Sequence, residues 1–317
     1  MTNGGRLPAA FGGPGWSPRT TSLAEELGGV WTSCGVNSEW LLLKKVLLHR
    51  PGPEIGAMED PDSLQMLAPV DAEAAGKQHD RLAEAYRREG VTVELIAPAG
   101  QPPPNLVFAA DLFFMTPEGA IVGRPASTVR AGEERLVARR LAELGVPILH
   151  TVRGTGTFEG ADVLWLRPDL VVVATGLRTN AEGARQVADL LGELGVRSVS
   201  VELPEGAMHL MGTLRLLDRD LAVFRPGGAP ARALGVLQDL HIEARPAPPG
   251  AEITVGQALN VVPLGPRRVV MPAGNPATRS FLVDLGVECI EVEIGEIAKA
   301  AGGIACMTGV LERELLR

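Results

Sequence analysis

Asp162-Val163-Leu164-Trp165-Leu166, Arg167-Pro168-Asp169, Leu170-Val171-Val172-Val173-Ala174 is the stretch on which the fold turns. Two apolar runs of strand length flank a turn tripeptide, which reads as a β-hairpin. Residues 181–194 follow with apolar positions at helical spacing, and Gly195-Val196 stops that helix. Ser198–Glu202 is then a third strand. A hairpin, a helix and a returning strand make one α/β unit, with an apolar sheet face and an apolar helix stripe that it cannot bury alone.

The same order recurs on both sides. Upstream, Lys44–His49 reads as a strand, residues 71–89 as a helix ended by Gly90, and Val91–Ile96 as the next strand. Leu106–Met115 and Ala120–Gly123 read as a hairpin around Thr116-Pro117-Glu118-Gly119, followed by a helix at 132–144 and a strand at Val146–His150. Downstream come Thr213–Leu217 with Leu221–Phe224, a helix near 229–240 and His241–Ala244. Ala258–Leu264 with Arg268–Met271, a helix at 276–285 and Glu288–Glu293 complete a fifth unit. A helical segment at Ile294–Ala301 and the run from Cys306 to Leu311 then look like a hairpin start that completes the first unit. A period of roughly 50 residues marks a repeat architecture. With no atypical capping unit at either end, closure into a five-fold pseudosymmetric α/β propeller is the expected fold class. Residues 1–33 read as an N-terminal arm without a core of its own, and residues 34–317 as a single domain.

Composition narrows the function. The chain has 317 residues, 45% hydrophobic and 21% charged, which is globular rather than disordered. A net charge of −8, with no basic run, argues against nucleic acid. Cys34, Cys289 and Cys306 are too few and too scattered for a disulfide framework or a zinc site, so no metal and no cofactor is expected. No leader-like segment and no apolar run of membrane length is visible, so the cytoplasm is the expected location and no membrane partner is expected.

Unusual polar residues fall at the same place in successive units, just before or within the first hairpin strand. The second unit has Asp111 inside the apolar run 106–114, the third has Glu159-Gly160-Ala161-Asp162, the fourth Met208-His209-Leu210, the fifth Asn260, and the closing segment Cys306 in Gly302-Gly303-Ile304-Ala305-Cys306-Met307-Thr308. Each has a bland reading on its own: a turn-capping Asp, a solvated Glu, a satisfied core His, a buried Cys. In a ring, equivalent positions face the pseudosymmetry axis, so two carboxylates, an imidazole and a thiol converge there. Cys and His supply a nucleophile and an acid/base. Two carboxylates in a cleft suit a planar guanidinium with its fork of donors. A thiolate facing the guanidinium carbon displaces an amine, and water resolves the covalent thiouronium to a ureido product.

These residues resemble the guanidino-modifying enzymes of the pentein fold: arginine deiminases, dimethylarginine dimethylaminohydrolases and amidinotransferases. The resemblance covers roughly residues 34–312. It rests on Ser38-Glu39 with 43–52, on Phe158-Glu159-Gly160-Ala161-Asp162-Val163, on Gly176-Leu177-Arg178-Thr179-Asn180 and on 302–308. It implies that Cys306 is the nucleophile and His209 the general acid and later base. Glu159 then binds the guanidinium and orients the histidine, and Asp111 holds the other guanidinium edge, with Asp162 on the substrate-binding side. Arg178 is the candidate for a substrate carboxylate, and Arg124 a weaker one. Gly160 and Gly303 are expected to serve turns. The implied partner is a small guanidino compound, with room left for a homodimer. Two departures stand out: Met211 takes the place of the Asp in the His-x-Asp of arginine deiminases, and Ala110 that of the Glu preceding the dimethylaminohydrolase aspartate. Three readings follow: a guanidino hydrolase, an amidinotransferase, or a non-catalytic binding relative, the last disfavoured by the presence of all four polar residues.

Overall fold

The computed structural model describes residues 6–57 and 60–316; the first five residues of the expected arm and Arg317 lie outside it. The fold is mixed α/β with five three-stranded sheets, each an antiparallel hairpin extended by a parallel strand. The sheets are β15–β1–β2, β3–β4–β5, β6–β7–β8, β9–β10–β11 and β12–β13–β14. Their strands are β1 (Leu43–Leu48), β2 (Thr92–Leu95), β3 (Phe113–Met115), β4 (Ala120–Val122), β5 (Ile148–Thr151), β6 (Val163–Arg167), β7 (Leu170–Thr175) and β8 (Arg197–Glu202). The rest are β9 (Leu214–Asp218), β10 (Leu221–Phe224), β11 (Glu243–Pro246), β12 (Val262–Gly265), β13 (Arg268–Pro272), β14 (Glu288–Val292) and β15 (Gly309–Arg313). In the first sheet the outermost hairpin strand comes from the C-terminal end, Val46 of β1 pairing antiparallel with Val310 of β15. The expected completion of the first unit by the last segment is thus realised.

Each hairpin is linked to its parallel strand by a helix: α1 (Ala72–Arg88), α2 (Glu133–Glu143), α3 (Ala181–Glu193), α4 (Ala231–Asp239) and α5 (Pro276–Asp284). Strands β3, β4 and β7 are buried almost throughout, whereas the parallel strands β2, β5, β8, β11 and β14 alternate or stay partly exposed. Burial therefore decreases from the hairpin to the third strand, which places the hairpins toward the middle of the molecule. In the arm from Arg6 to Ser33, Glu26 is the one buried residue.

The expected strand over Leu106–Met115 breaks up. Pro104–Val107 and Ala109–Asp111 are short 3-10 turns, and the strand begins only at Phe113. Similarly, Cys306 does not continue a strand but lies in a one-turn helix, Ile304–Met307, ahead of β15. Such a turn before the first strand recurs at Gly160–Asp162 and Leu210–Gly212. It lifts the polar side chains out of the sheets, which a continuous strand would not do.

Four crossover helices end on a glycine in the left-handed region: Gly90 (φ 77°), Gly145 (73°), Gly195 (75°) and Gly286 (76°). In the fourth unit the equivalent position is His241, at φ 57°. Its N–H bonds the Gln238 carbonyl at 3.0 Å and the next N–H bonds the Leu237 carbonyl at 2.9 Å, the same closing pattern as after α2. An L-residue with a Cβ pays roughly 1 kcal/mol for that conformation. His241→Gly is accordingly expected to raise stability by about 1 kcal/mol in urea unfolding, with turnover unchanged; a destabilised variant would contradict this account of the repeat.

Candidate active site

The polar residues of the five turns meet in one place. Asp111, His209 and Cys306 line one cavity, together with Arg130, Arg178 and Met208. Asp111 is 3% exposed, Glu159 fully buried and His209 6% exposed, and Cys306 is half-buried. Carboxylates this deep persist only with partners. Glu159 Oε2 accepts a 2.6 Å hydrogen bond from His209 Nε2, and its Oε1 accepts from the Ala126 N–H at 3.2 Å and lies 3.5 Å from Arg178 Nη1. Asp111 Oδ2 accepts from Arg130 Nη1 at 2.5 Å. Asp111 Oδ1 is buried, has no hydrogen-bond partner and lies 3.9 Å from His209 Nδ1.

The electrostatics follow from these neighbours. Burial alone would push the imidazole of His209 toward neutrality, but Asp111, Asp162 and Glu159 outweigh it and carry its pKa up to about 9. The ring is therefore an imidazolium at neutral pH, with Nε2 donating to Glu159. Burial would raise Glu159, yet the hydrogen bond from His209 and the charges of His209, Arg130 and Arg178 bring it down to about 2. The thiol of Cys306 is pushed up by burial and by the charge of Asp111, only partly opposed by the Gly303 N–H, Asn260 and Arg215. It needs a cation nearby to ionise.

The supporting layer is built from the motifs singled out in the sequence. Asp162 does not reach the cavity. Its Oδ1 accepts the Leu210 N–H at 3.1 Å and its Oδ2 the Thr179 hydroxyl at 2.6 Å, so it fixes the backbone beside His209. Burial lifts its pKa to about 6. In Arg178-Thr179-Asn180 the three side chains divide the work. Arg178 faces the cavity, and Thr179 Oγ1 also accepts the Glu159 N–H at 3.2 Å. Asn180 caps α3 by accepting the Gly183 N–H at 2.8 Å. Gly160 opens the turn Gly160–Asp162 and Gly303 precedes the one-turn helix Ile304–Met307; neither has a positive φ, and both allow close approach. A Cβ on Gly160 would stand 2.2 Å from the Phe113 carbonyl oxygen, and one on Gly303 2.6 Å from Asn260 Cγ.

Arg124 is not brought in. It is exposed, does not line the cavity and donates to the Gly156 carbonyl at 3.0 Å. The arginine buried against Asp111 is Arg130, which the sequence reading passed over. It donates from Nε to Glu133 at 2.9 Å and from Nη2 to the Phe108 carbonyl at 3.2 Å, besides holding Asp111. Its signal in the chain is the Arg130-x-x-Glu133 spacing at the start of α2. Burial pushes Glu133 up to about 7 against the pull of Arg130. Ala110 and Met211 lie on a second cavity, lined also by Glu39, Trp165, Thr308 and Arg313. Neither residue lines the cavity of Asp111, His209 and Cys306.

One atom each from Asp111, Glu159 and His209 lie within 4.8 Å of one another, a spacing that would suit a cation. The chain supplies positive charge there itself: Arg130 Nη1 is 3.8 Å from Glu159 and 2.5 Å from Asp111, and the imidazole is protonated. A planar donor group is what this set of acceptors is already arranged around.

The chain is similar to proteins already known. The family model for arginine deiminase matches residues 99–233. The chain is 31% identical to an N(G),N(G)-dimethylarginine dimethylaminohydrolase of Streptomyces coelicolor, over 86% of this chain and 98% of that one. It is 30% identical to the enzyme of that name from Pseudomonas aeruginosa, over 76% of this chain and 90% of its relative. A solved structure of a Pseudomonas aeruginosa dimethylaminohydrolase mutant complexed with citrulline superposes with a TM-score of 0.71 at 25% identity, over 86% of this chain and 100% of that one. Among the described residues, no helix is long and apolar enough to cross a membrane.

Proposed function

The chain belongs to the guanidino-modifying superfamily of arginine deiminases and dimethylarginine dimethylaminohydrolases, and we propose that Cys306, His209, Glu159 and Asp111 carry its reaction. The activity is cysteine-dependent hydrolysis of a guanidino substrate such as arginine or an N-substituted arginine, giving a ureido product and ammonia or an alkylamine. The observation that carries the assignment of residues is Asp111 Oδ1, a buried carboxylate oxygen without a hydrogen-bond partner in the cavity that Cys306 and His209 line. A buried acceptor left unpaired costs about 1–3 kcal/mol, and a guanidinium N–H recovers it.

The sequence of events follows from the charges. The guanidinium docks on Asp111, and a substrate carboxylate meets Arg178. The substrate's positive charge next to Cys306 favours loss of the thiol proton to solvent. The thiolate attacks the central carbon. His209, charged below about pH 9, gives its proton to the departing nitrogen as the C–N bond breaks, which leaves a thiouronium on Cys306. Glu159 stabilises the imidazolium and holds the ring, much as a triad acid does. The now neutral imidazole takes one proton from water as it attacks the same carbon, the C–S bond breaks as the remaining hydroxyl proton passes to the departing sulfur, and the neutral ureido product leaves. Asp162 and Arg130 act as supports for His209 and Asp111.

Closure of the five sheets into a ring belongs to the same proposal. Its support is that contacts run from β15 to β3, from β3 to the turn before β6, from β6 to the turn before β9, from β9 to β12 and from β12 to β1. The substrate cavity lies where those turns meet. A single domain over residues 34–317 and a homodimer are part of the reading as well, checked by limited proteolysis and by light scattering.

Mass spectrometry of protein quenched during incubation with arginine, methylated arginines and smaller guanidines tests the reaction. A Cys306 adduct with a ureido product and free amine is expected. An adduct that persists until a second amine is added would make the enzyme a transferase instead, and no adduct with any guanidine would overturn the proposal. Asp111→Asn removes the anion while keeping the shape. KM for a guanidino substrate is expected to rise about 10- to 100-fold, from loss of one charge-assisted hydrogen bond. An unchanged KM would place the guanidinium elsewhere.

A further inference from the structure

We propose that Asn260 holds Cys306 ready as a nucleophile, presenting an N–H to its sulfur while the carboxamide oxygen locks the backbone beneath it. Asn260 precedes β12 in the fifth unit and is 4% exposed. Its Oδ1 accepts the Ala305 N–H at 2.6 Å and the Cys306 N–H at 3.1 Å. Those two donors settle the orientation of the amide, because only the oxygen can face them. The nitrogen is therefore the atom that points at Cys306, and Nδ2 lies 3.0 Å from Sγ.

The direction of that last hydrogen bond matters chemically. A neutral thiol is a poor acceptor, whereas a thiolate is a strong one, so an N–H aimed at sulfur stabilises the charged form more than the neutral one. The same side chain thus does two things: it shapes the turn that carries the nucleophile, and it favours ionisation of that nucleophile. The approach depends on Gly303. A Cβ there would lie 2.6–2.8 Å from Asn260 Cγ, Cβ and Oδ1, so the glycine and the asparagine form one unit although they are 43 positions apart in the chain. The charges on the other side of Cys306 work against ionisation, since Asp111 raises the thiol. Asn260 is the neutral donor that opposes Asp111 without competing for the substrate cation.

The inference rests on Cys306 being the nucleophile, and its test reads the thiol rather than turnover. The rate of Cys306 alkylation by iodoacetamide is followed against pH in the full-length protein. Peptide mass separates Cys306 from Cys34 and Cys289, which are also free thiols. Asn260→Asp keeps the size and leaves an oxygen for the Ala305 and Cys306 N–H groups, but sets an acceptor against the sulfur. The alkylation midpoint is expected to move upward so that the thiolate fraction at a given pH falls about tenfold, with kcat falling in parallel and KM within about threefold. Asn260→Ala and Gly303→Ala are expected to move it in the same direction. An unchanged midpoint in Asn260→Asp overturns the proposal and reduces Asn260 to a backbone anchor; that variant decides the matter even if the alanine forms fail to fold. Should Cys306→Ser retain turnover while the Asn260→Asp midpoint moves, the reaction scheme falls and the interaction with the thiol stands.

Discussion

Cys306→Ser is expected to lose turnover on guanidino substrates by a factor on the order of 10⁴ or more, with the thermal melt unchanged. Serine is nearly isosteric and keeps an acceptor for the Asn260 amide, so the turn Ile304–Met307 and its hydrogen bonds at Ala305 and Cys306 should survive. What is lost is a nucleophile that can ionise. A hydroxyl in this position has no base in contact: His209 is charged and committed through Nε2 to Glu159. The variant should still bind substrate, because Asp111, Glu159 and Arg178 are untouched, and product analysis should show neither amine release nor a mass increase on the protein. Activity within tenfold of the parent protein would end the thiouronium scheme.

His209→Asn should lower kcat by about 10²- to 10⁴-fold, the usual worth of a positioned acid/base. Its pH dependence is the sharper readout. In the parent protein the charged ring is needed to protonate the departing nitrogen, so kcat should fall as pH rises through about 9, where His209 loses its proton. That alkaline limb should be absent from the residual activity of the variant. The same ring also contributes to stability. Its pKa in the fold is above the ordinary value of about 6.5, so its contribution is fully present below pH 6.5 and is lost as pH rises through about 9. Stability of the parent protein should therefore fall on the alkaline side more steeply than that of His209→Asn. Identical profiles for the two proteins would mean that the carboxylates around the ring do not act on it as the geometry requires.

The position of the site in the repeat was readable because it is a matter of phase. A polar residue that interrupts an apolar run at the same place in successive units is visible without knowing where the units go, and Asp111, His209, Asn260 and Cys306 all announce themselves this way. The local form of those positions was less legible. Leu106–Met115 is apolar enough to pass for one strand, yet tertiary packing turns residues 104–111 into 3-10 turns that carry Asp111 into the cavity. Arg124 and Arg130 are six positions apart, and apart from the Arg130-x-x-Glu133 spacing nothing in their flanks separates an exposed arginine from a buried one.

By itself, then, the amino-acid sequence determined the five hairpin–helix–strand units, the places where each helix stops, and the phase of the four polar residues proposed to carry the reaction. Those features come from periodicity and from the backbone preferences of glycine and proline, which act within a few residues. Tertiary structure alone decided which supporting side chains meet them. It buried Arg130 against Asp111 and Glu133, set Asp162 under His209 rather than in the cavity, and placed Ala110 and Met211 on a second cavity. It also brought the Asn260 amide to the sulfur of Cys306 through the space that Gly303 leaves open. Apart from the local Arg130–Glu133 pair, these contacts join residues of different turns or units, and each partner is set by how the units pack, a distance no local pattern encodes.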